Sequence, residues 1–367
     1  MRAVFETYFE VTTAKEKINH KEHREHKEKL HCQSRPQGIS TAQTHTRAHE
    51  KSVRDRMNRK DRILGFACAR DFENSTAKPC EHRAVLIGLI FTGFLLLALA
   101  SPLLAQNNPD WTKPFPPHRV IDNLYYVGSK DLASYLFVTP QGNILVNSSL
   151  EASVPLIRES IEKLGFKFTD TKILLISHAH FDHCAGSAQI KKLTGAKYMV
   201  MDADVPVIEA GGVNDFIYGE SPGALYPAAK VDHILHDGEQ VRLGDTVLVA
   251  HLTPGHTKGC TTWTAKISGQ NVVMVGSPNV NPGYKLVNNT SYPQISQDYE
   301  RTFRVLKSLP CDVFLGAHGV FYGMEAKFAQ VGKAALNPFI DPAGYKAYVA
   351  GREQAFREEL KNQSGNL

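Results

Sequence analysis

From about residue 106 onward the sequence predicts an α/β protein, a four-layer αβ/βα sandwich with two sheets face to face under outer helices. Three observations carry this. Short apolar or alternating runs, bounded by Gly, Pro, Asn and Asp, recur along the chain and read as strands. Segments with apolar residues at three- and four-residue spacing accompany them, so grouped strands with flanking helices occur twice over. Three of the strands also end in histidine, and strand ends can meet at one edge of a sandwich.

Residues 106–118 are polar and Pro-rich and read as an irregular arm. Strands follow at 120–127 and 134–139, with a turn at Pro140-Gln141-Gly142-Asn143 and another strand at 144–147. Val154, Ile157, Ile161 and Leu164 fall at helical spacing within 149–165, where Gly165 is the stop. A buried strand at 172–177 precedes a helix at 185–193 and a short strand at 196–201. The stretch 211–229 is too long for a plain connection, which suggests that it borders a site. Alternation over 231–252 gives consecutive strands, and a hairpin at 261–266 and 271–275 turns at Ser268-Gly269-Gln270. A helix at 297–309, a buried strand at 313–316 and a helix at 345–361 complete the chain.

The chain has 367 residues and a net charge of +5, but the charge is uneven. Residues 1–83 hold 18 Lys/Arg and 12 Asp/Glu, which leaves 24 and 25 of the chain's 42 and 37 for the rest. The folded part is near neutral, so its charge gives no reason to expect a nucleic-acid partner. Residues 1–83 lack apolar periodicity and read as a disordered or mis-called N-terminal extension, or as a His-rich tail that binds metal or an anionic surface. Arg83, the apolar run 84–100 and the small-residue end at Ser101 to Ala105 together have the pattern of a secretory signal peptide. The expectation is therefore a periplasmic protein whose domain spans 106–367, with no stable membrane association after cleavage. An uncleaved anchor is the other reading of that run. Cys32, Cys68 and Cys80 fall in the leader; Cys184, Cys260 and Cys311 remain, enough for one disulfide at most.

The chemistry concentrates in Ser177-His178-Ala179-His180-Phe181-Asp182-His183-Cys184. Alternate residues of extended chain point the same way, so His178 and His180 can grip one cation, while Asp182 and His183 face a second point. Imidazole with carboxylate favours zinc among the divalent metals. Cys184 beside them is either a further ligand or a small apolar residue packed beneath the site. A Pro-Gly turn presents His256 after one strand, and Leu315-Gly316-Ala317-His318 places another histidine at a strand end. His118, His233, His236 and His251 have no such setting and read as packing or surface histidines.

His178-Ala179-His180-Phe181-Asp182-His183, Gly255-His256 and Gly316-Ala317-His318 together resemble the metallo-β-lactamase superfamily signature, and within it subclass B3. The likeness spans roughly residues 111–345 and implies the four-layer sandwich of that family. By position it implies one zinc on His178, His180 and His256 and a second on Asp182, His183 and His318. Many relatives carry a bridging Asp where this chain has Gly276-Ser277-Pro278; its absence agrees with subclass B3. The implied activity is zinc-dependent hydrolysis of the β-lactam amide bond of antibiotics by a metal-bound hydroxide, conferring resistance. The alternative is another metal-dependent hydrolase, a lactonase or phosphodiesterase, on the same scaffold. Asp182 would bind metal and orient the nucleophile. Tyr284 reads either as a donor to the developing oxyanion or as a packed loop-end tyrosine. Ser277, Asn281 and Lys285 are the candidates to meet the substrate carboxylate, with Tyr284 beside them. Asn279 stands where several B3 enzymes have a second serine.

Overall fold

A computed structural model describes residues 108–365. The expected extension, the export segment, the first residues of the arm and the three leader cysteines lie outside the described residues. Among the described residues no helix is long and apolar enough to cross a membrane.

The first sheet has seven strands in chain order. The run expected as one strand at 120–127 is a hairpin, β1 (His118–Ile121) and β2 (Leu124–Tyr126), because Asp122 takes φ 44° and reverses the chain. β3 (Tyr135–Thr139) and β4 (Gly142–Val146) continue antiparallel around a Pro140-Gln141 turn. β5 (Thr171–Leu175), β6 (Lys197–Met201) and β7 (His233–Leu235) are parallel, which demands crossovers. Helix α1 (Val154–Lys163) supplies the first of these. The second is α2 (Phe181–Cys184) with α3 (Ser187–Thr194), so the helix expected from 185 begins four residues early and in two pieces. The short α4 (Val205–Glu209) follows β6.

The second sheet has the order β12-β11-β10-β9-β8. It comprises β8 (Gln240–Leu243), β9 (Thr246–Leu252), β10 (Thr261–Ile267), β11 (Gln270–Val275) and β12 (Val313–Gly316). The β10–β11 turn places Ser268 at φ 48° and Gly269 at φ 82°, the positive-φ pair that matches the twist of a tight hairpin. Helix α5 (Ile295–Ser308) crosses from β11 to the parallel β12, and α6 (Met324–Phe328) and α7 (Pro342–Ser364) follow. α7 starts three residues before the expected 345 because the Asp341 side chain caps it, accepting from Gly344 N at 2.8 Å, with Pro342 in the first turn.

Strand alternation divides the core. Tyr126, Tyr135, Phe137, Ile144, Val146 and Leu175 face the second sheet, where Trp263 is fully buried. Their neighbours Tyr125, Leu136, Leu145 and Leu174 face the opposite way, onto Ile157 and Ile161 of α1 and Ile190 of α3. Beyond the second sheet, Ile295, Tyr299, Phe303 and Leu306 form the buried stripe of α5, packed with Val349 and Phe356 of α7. Two sheets under outer helices is the architecture the sequence predicts. Hydrogen bonds between the sheets fix their strand ends: Trp263 Nε1 donates to Ile176 O at 2.9 Å, and Tyr135 Oη donates to Gly316 O at 2.8 Å.

Candidate metal centre

The segment after β5 is gripped before its histidines begin. Asn147, itself at φ 67°, accepts the Ser177 amide on Oδ1 at 2.7 Å and donates from Nδ2 to Ala133 O at 3.2 Å. From the second sheet, Thr261 N donates to Ser177 O at 2.7 Å. The chain then runs extended to His180 (φ −89°, ψ 149°), so His178 and His180 share a direction. At Phe181 the chain turns helical, which swings Asp182 and His183 to a neighbouring point. The amides of Ser148 and Ser149 hold the His183 carbonyl at 3.1 and 3.2 Å.

His256 comes from the loop between β9 and β10. Gly255 there has φ 124°, and a Cβ on it would lie 2.8 Å from the Tyr299 ring, so only glycine fits. His318 follows β12 and is aligned by pairing with Leu132 and by Gly319 N donating to Asp131 O at 2.6 Å.

These elements bring all six predicted side chains together. Donor atoms of His178, His180 and His256 lie within 4.8 Å of one another, as do those of His178, Asp182 and His183, and all are buried. His318 Nε2 completes the second group, 3.1 Å from His183 Nε2 and 3.4 Å from Asp182 Oδ2. Asp182 Oδ2 is 3.1 Å from His183 Nε2.

The residues fit a cation. His178 Nε2, His180 Nε2 and His183 Nδ1 are buried without a hydrogen-bond partner, each a cost of about 1–3 kcal/mol if nothing engages it. Outer partners also set tautomers. His256 Nδ1 meets Asn279 O at 2.8 Å, so its Nδ1–H donates outward and leaves the Nε2 lone pair free, and His318 Nδ1–H donates to Asp131 Oδ2 at 3.0 Å, which turns Nε2 toward the cluster. His178 Nδ1 meets Ser177 Oγ at 3.1 Å. Nitrogens and a carboxylate in this number form a donor set suited to zinc.

The electrostatics differ across the cluster. Burial pulls His178 and His256 well below the usual imidazole range, and pulls His183 down as well. Burial also opposes a charge on His318, but the carboxylates of Asp131 and Asp182 outweigh it and push its pKa up to about 10. For Asp182 burial favours the neutral acid, yet His183 and His318 hold the carboxyl well below its usual range.

The predicted substrate contacts are placed unevenly. Ser277 is buried, and its carbonyl accepts the Cys260 thiol at 3.6 Å. Asn281 is half-buried and donates to Tyr218 Oη at 3.0 Å, and Lys285 is exposed. Tyr284 is buried against the His256 ring and donates its hydroxyl to His256 O at 2.8 Å, the geometry of a packed tyrosine holding a ligand loop. Cys184 is packed under the site, its thiol donating to His180 O at 3.1 Å and pushed up in pKa by burial. Cys184, Cys260 and Cys311 are all free. Away from the cluster, His118 packs between Tyr126 and Phe339, while His233, His236 and His251 pair with Glu239, Asp202 and Thr264.

Sequence reasoning missed three carboxylates behind the histidines. Asp131 backs His318. Asp215, in the long loop over 211–229, has Oδ2 3.5 Å from His180 Nε2, and Tyr218 of that loop lies edge-on to the His180 ring. Asp204, fully buried, clamps two ligand loops: Oδ2 accepts from Ala179 N at 2.9 Å and Thr257 Oγ1 at 2.8 Å, and Oδ1 accepts from Gly259 N at 2.7 Å. A Cβ on Gly259 would come within 2.6 Å of the Asp204 backbone nitrogen. Burial raises the Asp204 carboxyl to about 6 against the pull of these hydrogen bonds. The one available signal was the length of the loop that carries Asp215.

A two-sheet α/β sandwich with a histidine-rich centre at its strand ends defines a class of metal-dependent hydrolases, and the comparisons agree. The family model described as Metallo-beta-lactamase superfamily matches residues 132–318, and the chain belongs to that superfamily. Its structural neighbours are subclass B3 metallo-β-lactamases, and it is an enzyme of the metallo-β-lactamase type. Native FEZ-1 metallo-β-lactamase from Legionella gormanii is 57% identical with a TM-score of 0.68, over 69% of this chain and 98% of that one. BJP-1 of Bradyrhizobium japonicum, a subclass B3 enzyme, is 39% identical with a TM-score of 0.66, over 70% and 98%. LRA-12 from an Alaskan soil metagenome, a class B3 di-zinc enzyme, is 37% identical with a TM-score of 0.66, over 69% and 97%.

Proposed function

We propose that this chain hydrolyses the β-lactam amide bond of antibiotics with two zinc ions, one on His178, His180 and His256 and the other on Asp182, His183 and His318. The observation that carries the reading is the meeting of these six side chains, with buried nitrogens left unpartnered, in a chain 57% identical to FEZ-1. When bound, such a pair of ions polarises a carbonyl and brings a water's pKa down to about 7.

The protein's own part is positioning. Asn279 O and Asp131 fix the His256 and His318 tautomers through their Nδ1–H groups. Asp182, held ionised, accepts the proton side of an attacking water and aligns it. Tyr284 holds the His256 carbonyl, so in this reading it positions a ligand rather than donating to an oxyanion. The Asn281–Tyr218 hydrogen bond ties the long loop to the segment after β11, beside His180. Asn281 and the exposed Lys285 are the groups offered to a substrate carboxylate, and Ser277 is buried. The apolar run ahead of residue 106 supports export to the periplasm, the compartment where β-lactams act; cell fractionation tests that part.

Hydrolysis of a carbapenem and a cephalosporin, measured with and without a chelator, tests the activity. Turnover that is lost with chelator and restored by zinc is expected. Inert β-lactams alongside brisk lactone or phosphodiester hydrolysis would assign the centre to another substrate class.

A further inference from the structure

The arm ahead of β1 reaches the second half of the centre. Trp111 ends a short 3-10 turn, Pro109–Trp111, capped by Asn108. Its indole Nε1–H donates to Asp131 Oδ2 at 3.1 Å, the same oxygen that accepts from His318 Nδ1 at 3.0 Å. Asp131 Oδ1 takes the Val320 amide at 3.2 Å, so the carboxylate is held by donors on both oxygens. The Trp111 ring is edge-on to Phe181 at 6.0 Å and tilted to His318 at 6.1 Å. Phe181 opens α2, the turn that carries Asp182 and His183. One half-buried side chain of the arm thus meets both elements that supply the second group of ligands.

The arm is anchored at that spot. Lys130 Nζ pairs with Asp110 at 3.2 Å, and the Lys130 amide donates to Lys113 O at 2.8 Å. Lys130 immediately precedes Asp131, so the tether lies one residue from the carboxylate.

We propose that Trp111 is a positioning residue for the Asp182–His183–His318 site, acting through Asp131 and Phe181, so that the N-terminal arm is part of that site. The inference rests on the two-zinc reading. Without the indole donor, Asp131 Oδ2 keeps one hydrogen bond and gains freedom to rotate or take water. His318 then loses the fixed orientation that a metal ligand needs. Among the described residues, the polar and ring contacts of Trp111 run to Asp131, Phe181 and His318, so the three-histidine group should be spared.

The test is competition for zinc between a chelator and the whole chain, resolving the first equivalent from the second. Cobalt substitution follows the two environments by visible absorption. Trp111→Phe keeps a ring against Phe181 and removes the donor. Asp131→Asn is the second variant, which keeps an acceptor for Trp111 and weakens the hold on His318. Melting of the metal-free proteins checks that each folds. The expected result is a second equivalent weakened roughly tenfold in Trp111→Phe, and further in Asp131→Asn, with the first unchanged. Wild-type affinity for both equivalents in Trp111→Phe would overturn the proposal, and so would an equal loss of both. A wild-type chain that binds one equivalent only would instead remove the two-zinc reading beneath it.

Discussion

The three-histidine group and the Asp182–His183–His318 group are almost in contact, with the His178 and His183 ring centroids 4.2 Å apart, yet their surroundings differ. Behind His178 and His256 stand neutral oxygens, Ser177 Oγ and Asn279 O, and burial keeps both rings uncharged. In this group a carboxylate faces only His180, from the long loop that carries Asp215. The second group holds one carboxylate within it and another behind it, and in the metal-free chain they keep a proton on His318. His178 and His256 therefore offer lone pairs directly, whereas His180, raised in pKa against burial by Asp215, and His318 must exchange a proton for a cation. Adjacent ligand sets can thus be tuned apart by their outer partners, even when their inner donors are alike.

The largest test removes one ligand from each side. His256→Ala and His318→Ala should each lower kcat/KM for a β-lactam by several orders of magnitude, because a water far from pKa 7 is a poor nucleophile. If only His256→Ala were crippled, one half of the centre would suffice, and the difference between the two groups would have no catalytic meaning.

Next in size is the clamp. Asp204→Ala orphans the amides of Ala179 and Gly259 and the Thr257 hydroxyl. At about 1–3 kcal/mol for each buried donor, the melting temperature should fall by on the order of 10 °C. A melting curve within 2–3 °C of wild type would show that the loops hold their places without it.

A buried histidine outside the centre calibrates the effect of burial on the first group. Burial depresses His118 to about 4, with the Pro116 carbonyl opposing. The folded pKa is below the unfolded value near 6.5, so the unfolded chain binds the extra proton and stability falls as pH drops from about 6.5 to about 4. Above 6.5 the group contributes no slope. Relative to metal-free wild type, metal-free His118→Phe should gain on the order of 3 kcal/mol across that window, measured by denaturant unfolding at several pH values. A pH-independent difference would mean that His118 is less shielded than its packing implies.

The smallest effect mirrors the Trp111 experiment. Asp215→Ala should weaken the first zinc equivalent by roughly tenfold and leave the second intact. Equal weakening of both equivalents would merge the two groups into one electrostatic unit.

Much of this centre was legible because its ligands obey local geometry. Two histidines one residue apart on extended chain must share a face, whereas the helical turn starting at Phe181, which aims Asp182 and His183 elsewhere, lies four residues ahead of the helix the sequence predicts. The hairpin at Asp122 was missed because its apolar flanks read as one continuous strand, and the earlier start of α7 because Asp341 is a cap only in company with Gly344. Tyr284 reads from the sequence as either an oxyanion donor or a packed loop-end tyrosine, and no spacing rule says that its hydroxyl finds the His256 carbonyl.

By itself the amino-acid order determined the strand and helix periods and the separation of His178 and His180 from Asp182 and His183, since those depend on the pitch of a few consecutive residues, whereas His256 and His318 were grouped with them by the family resemblance. Only the folded chain decided which carboxylates stand behind them: Asp131 lies 187 residues from His318, and Asp204 lies 25 from Ala179 and 55 from Gly259. A lone aspartate in a loop carries no periodic mark of its partner, because that pairing is made by the stacking of two sheets rather than by any repeat along one segment.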